Sequence, residues 1–215
     1  MRHTFTEAAL TAIAILSLAA AAPASSAAED HSHHLQTAPQ AQGGQTPGIL
    51  HIKLPDTVLT DQNDKAVKFK AEMMAERMVV INFVYTTCTT VCPVQSALFA
   101  DLQQRLGERS GRDVWLISVS VDPLRDTPLR LKEFAARFKA GPGWRFLTGS
   151  RLAVDEVLKS FDVYTPNFAD HPAAVMVGNP RTGEWMRLFG FPSSEQIMDK
   201  MTELQAAGLR SARAN

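Results

Sequence analysis

Two long runs of apolar, mostly β-branched residues dominate the hydrophobic pattern of the chain, at 79–85 and 114–121. Near-continuous runs of this kind predict strands that are buried on both faces of a sheet. Between them, over 93–106, apolar residues recur at helical spacing. Strand, helix and strand then form a βαβ unit with a right-handed crossover, so the two strands are predicted to lie parallel in one sheet.

The rest of the pattern extends this sheet. The sequence Asp-Thr-Pro at 126–128 predicts a helix that runs to about residue 139, because it offers a cap and a proline suited to the first turn. Two apolar runs at 173–177 and 184–189 flank a turn rich in Gly, Asn and Pro, which predicts an antiparallel hairpin. The other predicted elements are a strand at 144–147, a helix over about 152–161, a closing helix from about 193–195, and a small hairpin of 58–59 with 67–69 that decorates the front of the domain.

The chain has two cysteines, Cys88 and Cys92, and both lie where the first buried strand gives way to a helix. In open α/β sheets, sites form at this carboxyl edge of the strands. The unpaired amides and the dipole of the helix start also stabilise a thiolate, which improves a cysteine as nucleophile or ligand. A central mixed sheet flanked by helices, with the cysteine pair at this point and an extra amino-terminal hairpin, predicts an α/β fold of the thioredoxin-like class.

The spacing of the pair leaves redox and metal chemistry both open. Three residues separate the thiols, whereas thiol–disulfide oxidoreductases of this fold usually have two. The longer loop lets the sulfurs surround an ion and still permits a disulfide. A purely structural disulfide is disfavoured, because a bridge that closes so short a loop removes little chain entropy. A peroxiredoxin-like peroxidase is disfavoured because Tyr85 stands where those enzymes place threonine.

Two thiolates rarely complete a metal site, so a third ligand is sought among the six histidines. His171 is the best placed, since it precedes the predicted hairpin in a loop expected to approach the start of the first helix. The alternative is a surface histidine with no ligand role, and the adjacent Asp170 could orient the imidazole or cap a turn. Thiolates favour Cu(I) and imidazole serves Cu(I) and Cu(II), while structural zinc normally takes four protein ligands.

Three stretches of the chain, 88–93 with its Cys-x-x-x-Cys-Pro sequence, 118–128 and 170–171, resemble the SCO/SenC family. Members of this family are copper-binding, thioredoxin-like proteins that assist assembly of the copper centre of cytochrome c oxidase. The resemblance covers most of the domain and implies that Cys88, Cys92 and His171 bind copper as Cu(I), Cu(II) or both. It implies a metallochaperone-type protein rather than an enzyme. The implied partner is the copper-centre subunit of the oxidase or another exported copper or thiol protein.

Some members of that family behave more like thiol reductases. An exported thiol–disulfide oxidoreductase that acts on client cysteines is therefore the alternative, with Cys88 and Cys92 as its redox dithiol. His171 separates the two functions, because copper binding requires it and thiol exchange does not. The chain departs from the family pattern at Thr89-Thr90, where many members have Pro-Asp, and at Pro172.

The amino terminus predicts export to the periplasm. An apolar, alanine-rich run at 8–22 follows Arg2 and precedes small residues, which is typical of a cleaved signal peptide over residues 1–28. The run is shorter than the roughly 20 residues that span a bilayer, so an uncleaved anchor facing the periplasm is the alternative. Residues 29–48 nearly lack large apolar side chains and predict a disordered tail, which leaves 49–210 as one domain.

Charge narrows the range of partners. The 22 basic and 22 acidic residues balance and are interspersed, which indicates neither nucleic acid nor stable membrane association after signal cleavage. The tail adds one hypothesis: cleavage after Ala28 would expose Glu29-Asp30-His31, whose amine, amides and imidazole could form a square-planar Cu(II) site. The alternative is a solvated tail.

Overall fold

The computed structural model describes residues 48–73 and 77–214. The predicted signal peptide, nearly all of the predicted tail and the hypothetical site at Glu29-Asp30-His31 lie outside these residues. The strands are β1 (Leu50–His51), β2 (Val58–Asp61), β3 (Ala66–Lys68), β4 (Met78–Val84), β5 (Val114–Ser120), β6 (Trp144–Thr148), β7 (Ala174–Asn179) and β8 (Glu184–Phe189). The helices are α1 (Val91–Leu106), α2 (Pro128–Arg137), α3 (Arg151–Ser160) and α4 (Ser194–Ala214), with short helical turns at Phe69–Met73, Gly107–Arg109 and Phe168–Asp170.

The strands of the described residues form one mixed sheet in the order β1-β8-β7-β4-β5-β6-β2-β3. As predicted, β4 and β5 are parallel and α1 connects them, with Ile81 opposite Ile117. The short strand β6 adds a third parallel member beside β5. The predicted hairpin of β7 and β8 is antiparallel and joins the sheet on the other side of β4.

The small hairpin of β2 and β3 lies elsewhere than expected. It was predicted to decorate the front of the domain, but β2 pairs antiparallel with β6 and so extends the central sheet. The buried Asp61 accepts hydrogen bonds from the amides of Asn63 and Lys65 and thereby holds the turn. Its other carboxylate oxygen pairs with Arg145 of β6 at 3.3 Å, which fixes the hairpin to the sheet edge.

Each face of the sheet has its own apolar core. Alternate residues of β4 point to opposite faces, so Ile81 and Phe83 belong to a cluster with the buried side of α3. Val80 and Val84 belong to the opposite cluster, with α1, α2 and α4. Buried on both faces, β4 and β5 require the continuous apolar sequences by which they were predicted.

The parallel strands end at one edge of the sheet, and this edge positions the candidate site. The loop after β4 contains Cys88 and leads into α1, while the loop after β5 leads into α2. Residues 168–173 precede β7, the other neighbour of β4, and contain His171. Across residues 48–73 and 77–214, helices are too short or too polar to cross a bilayer.

Candidate thiol and metal site

Both thiols lie at the amino end of α1. Cys92 is in the first helical turn and fully buried, and Cys88 in the preceding loop is 8% exposed. The backbone N–H of Cys92 donates to the Cys88 Sγ at 3.3 Å. The N-cap residue Thr90 makes no side-chain cap, so the sulfur of Cys88 satisfies an amide that a helix start otherwise leaves open. Both cysteines are free thiols in this structure.

The two thiols differ strongly in acidity. Burial raises the pKa of Cys88, but hydrogen bonds from the Cys92 side chain, from the amides of Cys92 and Thr90 and from the Tyr85 hydroxyl outweigh it and lower this pKa to about 7. Burial, donation to Cys88 and the charge of Cys88 raise the pKa of Cys92 to about 12. The structure therefore presents one slightly exposed thiol that ionises near neutral pH and one fully buried thiol that donates to it.

Tyr85 connects the thiol loop with the histidine loop. Its hydrogen bond to Cys88, together with burial and the charges of the two cysteines, raises the pKa of the Tyr85 hydroxyl to about 12, so the phenol stays protonated and donates. Its ring packs edge-on against Phe168, at 5.1 Å between centroids, and against His171, at 5.8 Å. Tyr85 therefore contacts Cys88 through its hydroxyl and His171 through its ring.

His171 has a nitrogen available for a ligand. Its Nδ1 lies 2.8 Å from the carbonyl oxygen of Phe168, and its Nε2 lies 3.4 Å from that of Phe83. A neutral imidazole has one N–H, and the shorter contact assigns it to Nδ1, which leaves the lone pair on Nε2. Asp170 accepts instead from the side chain of Asn167, the residue that caps the turn, at 2.9 Å, so this carboxylate is directed to Asn167 and not to the imidazole.

The structure brings the two cysteines together and places His171 on the neighbouring loop. In the described part of the chain, no three His, Cys, Asp or Glu side chains already converge at metal-binding distance. The imidazole and the two thiols must therefore move closer together before all three predicted ligands can share one ion. The donor set of two sulfurs and one imidazole nitrogen nevertheless fits copper in either oxidation state.

A cleft of about 310 Å³ opens beside His171, between the loop after β5 and the segment before β7. The guanidinium of Arg125 lies over the ring of Phe168 at 5.5 Å and pairs with the buried Asp122 at 3.0 Å, so it forms part of the wall. Leu124, also in the wall, is 71% exposed. The cleft gives solvent and larger molecules a route to the histidine side of the site.

Sequence reasoning missed Asp126, which was interpreted only as a helix cap. Thr127 is the residue that caps α2, accepting from the amide of Arg130 at 3.3 Å. Asp126 is instead buried and accepts hydrogen bonds from Thr86 and Ser120. The available signal was positional, since Thr86 and Asp126 follow adjacent parallel strands and so reach the same sheet edge.

Comparison with known proteins places these features in a family context. The profile of the SCO1/SenC family matches residues 55–205. The SCO1 protein homolog of Bacillus subtilis is 39% identical over 105 residues, which are 47% of this chain and 54% of that protein. The match therefore spans about half the length of that relative.

Two solved structures share the fold. Copper-bound ScoI of Bradyrhizobium japonicum is 27% identical with a TM-score of 0.57, over 74% of this chain and 98% of that chain. BsSco, described as a Sco-family cytochrome c oxidase assembly protein with a disulfide switch, is 28% identical with a TM-score of 0.62, over 76% and 98%. These similarities confirm the predicted thioredoxin-like fold.

Proposed function

The chain belongs to the SCO1/SenC family, and from this premise we propose that it is a copper-binding metallochaperone that assists assembly of the copper centre of cytochrome c oxidase. The observation that carries the proposal is the contacting pair of free thiols Cys88 and Cys92 at the start of α1, with His171 on the neighbouring loop. The copper-bound state of the Bradyrhizobium japonicum relative supports it.

The proposed ligands have distinct parts in copper capture. Cys88 is the more accessible of the two thiols and is about half thiolate at pH 7, so it is the first of the two sulfurs to bind. Cys92 releases its proton when it becomes a ligand, which makes binding pH-dependent. His171 then supplies Nε2, after its contact with the Phe83 carbonyl breaks. The dithiol must be reduced before it can bind, because a disulfide offers no thiolate.

Copper delivery would use the same thiolate–copper bonds as copper capture. The proposed recipient is the copper-centre subunit of the oxidase or another exported copper or thiol protein, whose own cysteines replace Cys88 and Cys92 by ligand exchange. Export after cleavage of a signal peptide over 1–28 would bring the domain at 49–210 to the periplasm. Intact mass of the secreted chain tests this cleavage, and a start other than Glu29 would exclude the amino-terminal Cu(II) site at His31.

A thiol–disulfide oxidoreductase is the second candidate, and the difference in acidity between the two thiols favours it. A slightly exposed thiol with a pKa of about 7 beside a fully buried thiol with a pKa of about 12 resembles an attacking and a resolving cysteine. Such an enzyme would reduce disulfides of client proteins and would not need His171.

Copper binding by the anaerobically reduced protein tests the proposal. We expect one tight equivalent of Cu(I) in competition with a chromogenic chelator, and its loss in Cys88→Ser. His171→Ala should abolish tight binding but leave disulfide exchange with glutathione largely intact. The matched control is His51→Ala, since His51 is an exposed histidine of β1 and should not affect copper affinity. Weak binding by the wild type, with a readily reduced disulfide, would favour the oxidoreductase.

A further inference from the structure

Asp126 is a buried carboxylate held by neutral donors. Its side chain is 1% exposed, and its described contacts are the Thr86 amide at 3.0 Å and the hydroxyls of Thr86 and Ser120, both at 2.6 Å. Asp61 is equally buried but pairs with the guanidinium of Arg145. Burial of a carboxylate without a cation costs free energy, so Asp126 is not explained by stability alone.

The hydrogen bonds of Asp126 join three elements at the candidate site. Both bonds from Thr86 end on Oδ1, and Thr86 lies two residues before Cys88, where the chain leaves β4. The bond from Ser120, the last residue of β5, ends on Oδ2. Asp126 itself comes just before α2. One carboxylate therefore fixes the point at which the cysteine loop departs from the sheet.

The segment fixed in this way also holds the phenol that contacts both Cys88 and His171. Tyr85 immediately precedes Thr86, contacts the His171 ring at 5.8 Å and hydrogen-bonds to Cys88. A shift of Thr86 would move the phenol and the thiol loop together relative to His171. The spacing between the predicted sulfur and nitrogen ligands thus depends on where Thr86 is held.

We propose that Asp126 is a positioning residue of this site: through Thr86 it fixes the loop that holds Tyr85 and Cys88, and so sets the spacing between the thiols and His171. The effect on copper rests on the function proposed above. The effect on the dithiol itself does not, because closure of the Cys88–Cys92 disulfide depends on the same loop.

Two substitutions separate the effect of the hydrogen bonds to Thr86 from the effect of the negative charge of Asp126. In Asp126→Asn the carboxamide oxygen can still accept both bonds from Thr86, but its NH2 group can only donate, so the negative charge and the acceptor for the Ser120 hydroxyl are lost while the bonds to Thr86 are kept. Asp126→Ala removes the hydrogen bonds to Thr86 as well. The charge acts on the site too, since Asp126 contributes to the raised pKa of Cys92. Comparison of Asp126→Asn with the wild type tests the charge, and comparison of Asp126→Ala with Asp126→Asn tests the hydrogen bonds to Thr86.

The experiment measures two properties of the full chain. The first is Cu(I) affinity of the reduced protein by chelator competition, and the second is the glutathione equilibrium of the Cys88–Cys92 pair without metal. We expect Asp126→Ala to lower copper affinity by about 10- to 100-fold, the usual effect of losing a residue that orients metal ligands. Its dithiol should also become several-fold harder to oxidise, because the thiols are less well held for closure. In Asp126→Asn, the copper affinity and the glutathione equilibrium should both stay close to those of the wild type.

The control is Asp61→Ala, which removes an equally buried carboxylate with three hydrogen-bond partners near the far edge of the sheet. It should lower the melting temperature but leave copper affinity and the glutathione equilibrium unchanged. If Asp126→Ala does not fold, Thr86→Val replaces it, with Thr86→Ser as the variant that keeps the hydroxyl. Thr86→Val should lower the copper affinity and make the dithiol harder to oxidise, whereas Thr86→Ser should keep both close to the wild type.

The outcomes distinguish this inference from the proposed function. If the wild type binds no copper tightly, the metallochaperone proposal fails, and the glutathione equilibrium alone decides the role of Asp126. A folded Asp126→Ala, or Thr86→Val in its place, with wild-type values for both properties would overturn the positioning role. Equal losses in Asp61→Ala would overturn it as well, because they would show a general effect of stability.

Discussion

At the scale of single residues, the acidity of Cys88 and Cys92 follows from position and not from residue type. Cys88 receives hydrogen bonds at the start of α1, which lower its pKa to about 7 against the net effect of burial. We expect the alkylation rate of Cys88 by iodoacetamide to rise with pH through about 7, since the thiolate is the nucleophile. Peptide mass spectrometry of the reduced, metal-free protein at several pH values measures this rate.

The matched comparison is Cys92 in the same protein. Its pKa of about 12 and its complete burial predict almost no alkylation below pH 9. In Cys92→Ala, Cys88 should remain the reactive thiol, although the loss of the side-chain donor at position 92 should move the midpoint of its alkylation rate upward. A Cys88 rate that rises only near the usual cysteine pKa of about 8.5 would contradict the hydrogen-bonded arrangement.

Residue type and local position were enough to predict some members of the candidate site, whose role as ligands stays a prediction, but not others. Cys88 and Cys92 follow from their number and their place after a buried strand, and His171 from its place before a hairpin. Asp126 and Tyr85 were not identified, because their contacts join distant segments. Thr86 and Asp126 are 40 positions apart in the chain, and no local pattern encodes that pairing.

At the scale of elements, the prominent strands and helices were predicted because each has a period or a continuous apolar run of its own. The strand that pairs with the β2–β3 hairpin was not predicted, because the choice of neighbouring strand depends on long-range contacts such as that of Arg145 with Asp61. The two-residue strand β1, which pairs with β8, is too short to leave a pattern. The local sequence thus predicted the elements themselves well, but it did not predict how the edges of the sheet are completed.

The β7–β8 hairpin offers a prediction about an element. Gly178 lies opposite Trp185, and a Cβ at Gly178 would overlap the buried indole ring. Gly178→Ala should therefore lower the free energy of unfolding by about 1–3 kcal/mol, the usual cost of overpacking a core. Urea denaturation measures it. Gly48→Ala is the control, because a Cβ there meets open space, and equal stability of both variants would contradict the packing.

At the scale of the whole molecule, the proposed ligands belong to segments that follow β4 and precede β7, two neighbouring strands of the sheet. An ion bound by both segments would join parts of the chain that are far apart in sequence and are close only in the folded state. Folding and copper binding are then linked, because a ligand that prefers the folded state stabilises it by mass action.

This linkage predicts the effect of copper on thermal stability. When free Cu(I) exceeds the dissociation constant by about 1,000-fold, the stabilisation is at most about 4 kcal/mol, or roughly 8–16 °C in melting temperature for a domain of this size. The unfolded chain retains Cys88 and Cys92 and also binds Cu(I), so the observed shift should be smaller than this limit.

The contribution of His171 tests the linkage most directly, because only the folded chain holds its imidazole near the two thiols. Scanning calorimetry of the anaerobic, reduced protein should show a clear upward shift with Cu(I) for the wild type and for His51→Ala. His171→Ala should show a much smaller shift, since its two cysteines bind copper in both states. If the shifts of the wild type and His171→Ala are equal, the histidine contributes nothing to copper binding in the folded protein, and the three-ligand site is excluded.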